Sequence, residues 1–379
     1  MSGFLNVGVI GCGNISSTYF RLSNLFKTIE VHACADLNPV TARDQAEQFG
    51  LEALSVEDLL ASNLDIIINL TVPSSHFEVS KAILESGKHL YSEKPLTLSL
   101  ADSITLRDLA QKKGLHVACS PDTFLGGSHQ KARNLIDSGA IGEIVGGTCH
   151  ILSHGMENWQ PNPSFFFQSG GGPVLDLGHY YITNLIHLLG PVLRLTALSS
   201  IPQKERMITS QPRYGEKIKV KTPTTIHAVM EFVNGALVTL GTSWDVWKHG
   251  HRNMEIYGTE GSLVIPDPNF FGGELLRSLR DSKFEKENTD IHPFSIPNFE
   301  TSMGMVANYR TVGLADMAEA IMTGRDARCS IELALHVVEV MTAILRSSKI
   351  GKTIHMETIC EQPKPLSSNE AKQMISQLE

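Results

Sequence analysis

From residue 4 to about residue 120 the chain alternates short apolar runs with stretches of helical periodicity. Strand-like runs fall at 5–10, 30–35, 64–70, 88–91 and 115–119, and helix-like stretches at 14–27, 38–49, 74–86 and 99–113. This alternation predicts βαβ units and a parallel sheet. The boundary signals agree with it. Ser74 and Ser75 follow Pro73 as N-cap candidates, and Gly87 and Gly114 stand where helices should close.

After about residue 125 the pattern changes. A helix at 128–138 and a strand at 143–152 precede a proline- and aromatic-rich loop at 154–169, then a helix at 174–189. Alternating runs follow at 192–199, 224–233, 236–244, 251–257 and 262–265, some joined by tight turns at Asn234-Gly235 and Thr259-Glu260-Gly261. Strands in succession with such turns predict a largely antiparallel sheet. The polar stretch 267–302 reads as a surface excursion rather than a lid. Helices are expected at 305–323 and 331–347, and the last fifteen residues read as a poorly ordered tail.

At 379 residues, with 42% hydrophobic and 19% charged residues, the chain has the length of two domains and an ordinary globular composition. A formal charge of −8 argues against nucleic acid as a partner, because that surface needs a basic face. The six cysteines (Cys12, Cys34, Cys119, Cys149, Cys329, Cys360) form no C-x-x-C pair and sit mostly in apolar runs. They read as buried thiols in a reducing compartment, without structural zinc. No basic-then-apolar leader and no apolar stretch of membrane-spanning length is present, so a cytoplasmic protein with no membrane partner is expected.

The first strand-to-helix junction carries the clearest chemistry. Val7-Gly-Val-Ile-Gly11-Cys-Gly13-Asn14-Ile15-Ser16 places a glycine turn between an apolar strand and a helix. Such a turn lets backbone N–H groups approach a pyrophosphate at the helix N-terminus. Asp36 closes the second apolar run about twenty residues on, where a carboxylate accepts hydrogen bonds from ribose hydroxyls. No Arg or Lys occurs at 37–42, which predicts NAD rather than NADP. Ser16 stands where the usual pattern has a third glycine.

Three further segments lie at the ends of predicted elements, where open α/β sheets bind ligands. Thr71-Val-Pro73-Ser-Ser-His76 follows the third core strand and Ser92-Glu93-Lys94-Pro95 the fourth. Gly170-Gly-Gly-Pro-Val-Leu-Asp176-Leu-Gly-His179-Tyr180 opens a helix of the second domain. The expected cofactor contacts are Gly11, Gly13, Asn14, Ile15, Asp36, Thr71, Pro73, His76, Glu93 and Lys94. Lys94 should face the nicotinamide, where like charge would lower its pKa toward a working acid–base range. Asp176 and Tyr180 share a helical face, and with Lys94 they form a candidate proton-handling set. Either Tyr180 or Lys94 could accept the proton. His179 points away and reads as structural.

No Lys or Arg occurs between residues 134 and 193. The loop there instead offers His154, Asn158, Trp159, Gln160 and Phe165–Phe167, with Trp244 and Trp247 as a candidate stacking wall. Amides, imidazole and aromatic faces suit an uncharged polyol, so His154 and Trp159 join Lys94, Asp176 and Tyr180 as candidate substrate contacts. Lys248, Arg252 or Arg310 could still fold back into the site. No cluster of His and Asp has ligand spacing, so no metal is expected.

With Gly11-Cys-Gly-Asn-Ile-Ser16, Glu93-Lys-Pro95 and Gly170-Gly-Gly…Asp176-x-Gly178 in this order, residues 5–350 resemble the Gfo/Idh/MocA oxidoreductase family. The resemblance implies an α/β fold class: an N-terminal Rossmann dinucleotide-binding domain (residues 1–123) and a C-terminal α/β domain with a large open mainly antiparallel sheet (124–360), followed by the tail 361–379. It implies oxidation or reduction of sugars and cyclitols with a nicotinamide cofactor, Lys94 as an active-site residue, and a homodimer or homotetramer assembled through the C-terminal sheet. Many members carry His where this chain has Tyr180; some sugar-oxidising members carry Tyr. Ser120-Pro-Asp122-Thr-Phe-Leu-Gly-Gly127, Trp159-Gln-Pro-Asn-Pro…Phe165-Phe-Phe and Gly178-His-Tyr-Tyr-Ile-Thr resemble the D-apiose dehydrogenase branch, which implies oxidation of the anomeric carbon to a lactone and Asp122 as a substrate hydroxyl acceptor. A cyclitol or diol dehydrogenase and a non-catalytic NAD or sugar sensor are the rival readings. Lys94, Asp176 and Tyr180 together argue against the sensor, which needs no proton relay.

Overall fold

The computed structural model describes residues 3–301 and 304–376. Its first 120 residues alternate β1 (Leu5–Ile10), α1 (Ser16–Ser23), β2 (Ile29–Ala35), α2 (Pro39–Phe49), β3 (Glu52–Ala53), α3 (Val56–Ala61), β4 (Ile66–Asn69), α4 (His76–Glu85), β5 (His89–Ser92), α5 (Leu100–Lys113) and β6 (Val117–Cys119). The strands form one parallel sheet in the order β3-β2-β1-β4-β5-β6. β4 is buried at every position, as a parallel strand covered on both faces must be. The chain order reverses between β1 and β4, and the crevice beyond the carboxyl ends of these strands is the ligand position for such sheets.

Local signals set most of the helix ends. Asn38 accepts a hydrogen bond from Val40 N with Pro39 in the first turn of α2, and Gly50 closes that helix at φ 69°. Ser99 caps α5 and Gly114 ends it at φ 64°. Two expectations fail. The helix expected over 14–27 is only Ser16–Ser23, because residues after it form tight turns in which Leu25 N donates to Leu22 O and Phe26 N to Ser23 O. Ser75, at the N-cap of α4, makes no side-chain capping bond; Pro73–Ser75 form a 3-10 turn instead.

The second half contains α6 (Gly127–Asp137), β7 (Ile144–Leu152), α7 (Pro173–Leu189), β8 (Val192–Ser200), β9 (Glu205–Met207), β10 (Lys217–Lys219), β11 (Thr225–Phe232), β12 (Leu237–Ser243), β13 (Met254–Gly258) and β14 (Gly261–Ile265). It continues through β15 (Leu276–Leu279), β16 (Glu285–Lys286), β17 (Phe299–Thr301), β18 (Gly304–Val306), α8 (Val312–Thr323), α9 (Ile331–Ile350), β19 (Ile354–His355) and α10 (Ser368–Met374). Nine strands form the sheet β16-β15-β14-β13-β7-β12-β11-β8-β19, antiparallel except where β7 meets β12. α7 and α9 pack on one face. The opposite face exposes Leu198, Val229 and Leu237.

The excursion 267–302 adds β15 and β16 to the sheet edge. The helix expected over 305–323 starts only at Val312, because residues 304–306 pair with 299–301 and Thr311 sits at φ 92°. The expected tail is a correction as well. Residues 368–374 form α10, opened by a capping box of Ser367 and Glu370, and Ala371 and Met374 are buried. Ile375 bridges to Phe26 beside β2. Residues 377–379 lie outside the described residues. All six cysteines are buried and free, as expected.

Candidate active site

Gly11 must be glycine. Its φ is +105°, and a Cβ there would lie 2.7 Å from the Leu70 carbonyl carbon and oxygen and 2.9 Å from Thr71 N. The turn therefore nests against the end of β4. Gly13, by contrast, has nothing within 4 Å of a built Cβ, and Gly13 and Asn14 are exposed ahead of α1, with Ile15 half-buried at its N-cap. Asp36 Oδ2 accepts from Cys12 N at 2.8 Å and Oδ1 from Asn38 N at 2.8 Å. A carboxylate has about four acceptor positions, so Asp36 both braces the glycine turn and keeps capacity for hydroxyl donors. A bare turn, an open helix start and a half-exposed carboxylate at the end of β2 fit a dinucleotide.

Beside this turn Asn69 Oδ1 accepts from Thr71 N at 3.1 Å and from Thr71 Oγ1 at 2.7 Å, and Pro73 begins the 3-10 turn. His76 is a correction. It is buried, with Nδ1 bonded to Pro95 O and Nε2 to Thr71 O at 2.9 Å. The ring joins the Thr71 and Lys94 loops and has no nitrogen left for a cofactor. Glu93 is also turned inward. Oε1 accepts from Tyr19 Oη at 2.7 Å and from Arg310 Nη1 at 3.4 Å, and Oε2 accepts from Lys94 N at 3.0 Å. Burial pushes the Glu93 carboxyl up, but Arg310, Tyr19 and Lys94 outweigh it and leave the pKa lowered.

Lys94 leaves the end of β5 and crosses to α7. Its Nζ donates to Asp176 O at 2.8 Å and to Asp176 Oδ1 at 3.3 Å, and lies 5.3 Å from the centre of the Tyr180 ring. Gly170 and Gly172, at φ 88° and 99°, turn the chain sharply into α7, which puts Asp176 in its first turn and Tyr180 one turn later. Tyr180 is 6% exposed, and among the described residues its hydroxyl has no hydrogen-bond partner. Lys94, Asp176 and Tyr180 thus meet as the spacing suggests. The expected fall in the Lys94 pKa is a correction. Burial lowers it, but Tyr180, Asp176 and Glu93 outweigh burial, so in the ligand-free protein it is raised and the amine is an ammonium ion.

Arg310 does fold back, so the neutrality expected from residues 134–193 does not describe the whole site. Its side chain is half-buried beside Glu93 and within electrostatic reach of Tyr180. Burial opposes its charge, yet Tyr180, Glu93, Tyr19 and Asp122 raise its pKa well above the usual value. Lys248 and Arg252 are exposed. Asp122 is a correction too. It is 1% exposed, and Oδ2 accepts from Thr311 N at 3.0 Å and Gly313 N at 3.1 Å. It fixes the start of α8, where it has no access to a substrate hydroxyl. Burial pushes its pKa up to about 6 against the pull of Arg310 and these two N–H groups.

The aromatic wall is rearranged. Trp244 is fully buried in a separate apolar cluster with Phe166 and Phe167, whereas Trp159 and Phe165 are exposed. Trp247 is exposed and stacks on His154. Among the described residues no hydrogen bond, ion pair or ring contact joins His154 or Trp159 to Lys94, Asp176 or Tyr180. His179 is buried, and burial with the nearby Lys94 charge lowers its pKa well below the usual value, in keeping with a structural role. Among the described residues no group of three metal-ligating side chains occurs, and no helix is long and apolar enough to cross a membrane.

Family models were matched along both halves: "Oxidoreductase family, NAD-binding Rossmann fold" over residues 5–120 and "GFO/IDH/MocA C-terminal domain" over 129–264. Among similar proteins is a dTDP-3,4-didehydro-2,6-dideoxy-alpha-D-glucose 3-reductase of Saccharopolyspora spinosa, 31% identical over 69% of this chain and 74% of that protein. A levoglucosan dehydrogenase of Pseudarthrobacter phenanthrenivorans is 27% identical over 69% of this chain and 73% of its own. A solved levoglucosan dehydrogenase in complex with NADH and levoglucosan superposes with a TM-score of 0.77 at 23% identity, covering 94% of this chain and all (100%) of the other.

Proposed function

We propose that this chain, which belongs to the Gfo/Idh/MocA oxidoreductase family, is an NAD-dependent dehydrogenase that oxidises the anomeric hydroxyl of a neutral aldose, D-apiose being the best candidate, to its lactone. Oxidoreductase chemistry on sugars and an NAD-binding Rossmann domain belong to the family reading; the sugar and the carbon attacked are our inference. One observation carries it: an ammonium, a carboxylate and a phenol from two separate elements, the end of β5 and the first turns of α7, converge at Lys94, Asp176 and Tyr180.

NAD⁺, when bound, supplies the hydride acceptor. The protein handles the proton. Tyr180 in its ionised form takes the proton of the substrate hydroxyl as the carbon loses hydride, and returns to the neutral phenol. Lys94 stands 5.3 Å from the Tyr180 ring and Arg310 within electrostatic reach of it, so two cations face the charge that develops as the hydroxyl proton leaves. Asp176 holds the Lys94 amine by its carboxylate and its backbone carbonyl. Glu93 fixes the Lys94 backbone N–H and anchors Arg310, so it acts on the reaction only through them. Gly11, Gly13, Asn14 and Ile15 would line the pyrophosphate, Asp36 the ribose, and Thr71 and Pro73 the inner edge of the crevice.

We assign the cofactor role to residues 1–123 and the substrate and assembly roles to 124–360. The open face of the nine-stranded sheet, with Leu198, Val229 and Leu237 exposed, is the surface we propose for a homodimer or homotetramer. The test is turnover. Purified protein with NAD⁺ and a panel of D-apiose, other aldoses, blocked glycosides and cyclitols is followed by NADH absorbance, with product identified by mass. Lactone from an aldose supports the proposal. Oxidation only of blocked glycosides or cyclitols moves the reaction to a ring carbon, the position for which the Saccharopolyspora reductase is named. No turnover with any probe refutes the enzyme reading and leaves the sensor.

A further inference from the structure

Strand β9 and the residues flanking it form one wall of a second cavity. It is open to solvent, has a volume of about 250 Å³ and is lined by Glu157, Arg206, Met207, Asn158, Gln203, Thr209 and the stacked pair His154 and Trp247. Lys94, Asp176 and Tyr180 take no part in its lining.

Its floor is charged and almost fully buried. Arg206 is 3% exposed and Glu157 6%. Arg206 Nη1 donates to Glu157 Oε1 and to His154 O at 2.8 Å, and Nη2 donates to Trp244 O at 2.7 Å and to Asp245 Oδ1. Three polar atoms in this group are buried with no hydrogen-bond partner among the described residues: Arg206 Nε, Glu157 Oε2 and His154 Nδ1. Unsatisfied polar atoms of this kind are unusual in folded proteins and call for an explanation. Gly155, at φ +100°, leaves room for the unpaired oxygen, since a Cβ there would lie 2.4 Å from Glu157 Oε2.

The chemistry of the lining selects the occupant. Two carboxylates against one guanidinium leave the floor with a formal charge of −1, which disfavours an anion. Asn158, Gln203 and Thr209 both donate and accept, as ring hydroxyls require. Trp247 is 77% exposed and lies parallel to the His154 ring, at 14° between planes. Its indole offers an apolar face for ring C–H groups. The volume lies just under the roughly 300–1,000 Å³ common for small-ligand sites, which suits a single ring.

We infer that this cavity is a second saccharide site, binding one neutral sugar ring apart from the reacting centre. The inference rests on the reading of the chain as a sugar-handling protein, but its test does not need turnover. Saturation-transfer NMR with methyl β-D-glucopyranoside and D-glucose is run on wild type, Lys94→Ala, Trp247→Ala and Asn158→Ala, with gluconate as the anionic control. Trp247 and Asn158 are exposed, so neither substitution disturbs the core. The expected result is ring-proton transfer that persists in Lys94→Ala, falls at least fivefold in both cavity variants, and is absent with gluconate. Transfer unchanged in Trp247→Ala and Asn158→Ala, equal transfer to gluconate, or none to either neutral probe (a cavity holding water alone) would each overturn it. Cavity-dependent transfer without turnover of any sugar would refute the proposed reaction and keep this site. Turnover without cavity-dependent transfer would do the reverse.

Discussion

Replacing Arg310 by Met removes the half-buried member of an ion pair and leaves the buried Glu93. Glu93 stays behind with Tyr19 Oη and Lys94 N as its donors and only the more weakly acting Lys94 ammonium to oppose its charge. Breaking a buried pair from one side costs about 3–5 kcal/mol, because the survivor remains desolvated and uncompensated. Unfolding entropy of about 2.1 cal/mol/K per residue over 379 residues is about 0.8 kcal/mol/K. The variant should therefore melt about 4–6 °C lower at pH 8. The pH dependence carries more information. In the wild type Glu93 has a lowered pKa, so its contribution is present above the ordinary carboxylate value and lost as pH falls through the lowered one. Without Arg310, burial dominates and the pKa rises, so protonation on going from pH 8 to pH 5 should relieve the variant and narrow the gap. Glu93→Gln in the same chain should recover most of the loss. The assay is thermal unfolding of the four proteins of this cycle at both pH values. An unchanged melting temperature in Arg310→Met, or the same loss with and without Glu93, would refute the coupling.

Gly11→Ala should weaken NAD⁺ binding at least tenfold by calorimetry and lower the melting temperature, because the new methyl meets the Leu70 carbonyl at 2.7 Å with φ at +105°; intact binding would remove the turn from the cofactor site. Asp36→Ala frees Cys12 N and Asn38 N and should cost NAD⁺ at least tenfold in affinity while NADP⁺ loses less, measured by parallel titrations; equal losses would contradict the ribose assignment. Asp122 has its pKa raised from 3.8 to about 6, so the unfolded chain releases that proton first and stability falls as pH rises through this window, by at most about 3 kcal/mol. Asp122→Asn lacks that slope, so its melting temperature relative to wild type should climb between pH 4 and pH 6 and then level off; a constant difference would refute it.

What could be read from the residues alone was local. The Gly11 turn, Asp36 at the end of β2, and the i, i+4 spacing of Asp176 and Tyr180 each depend on a few neighbouring positions. What escaped was brought in from far along the chain. Arg310 reaches Glu93 across 217 residues through a bend at Thr311 that no pattern announces. Asp122 resembles an exposed acceptor until α8 supplies two N–H groups that bury it. The β9–β10 hairpin was missed because three-residue strands such as Lys217-Ile-Lys219 are too short for alternation to register. α10 did carry a signal, Ser367-x-x-Glu370, which is a capping box; its few apolar residues hid it.

The central claim is that Lys94 serves the proton transfer and not the binding of NAD⁺. The direct measurement is kcat of Lys94→Ala for NADH formation, with the NAD⁺ dissociation constant measured on the same protein. General acid–base catalysis contributes about 10²–10⁴-fold. Lys94→Ala should lose kcat in that range and keep NAD⁺ affinity within about threefold of wild type. A normal kcat, or a fall in NAD⁺ affinity as large as the fall in rate, would contradict it.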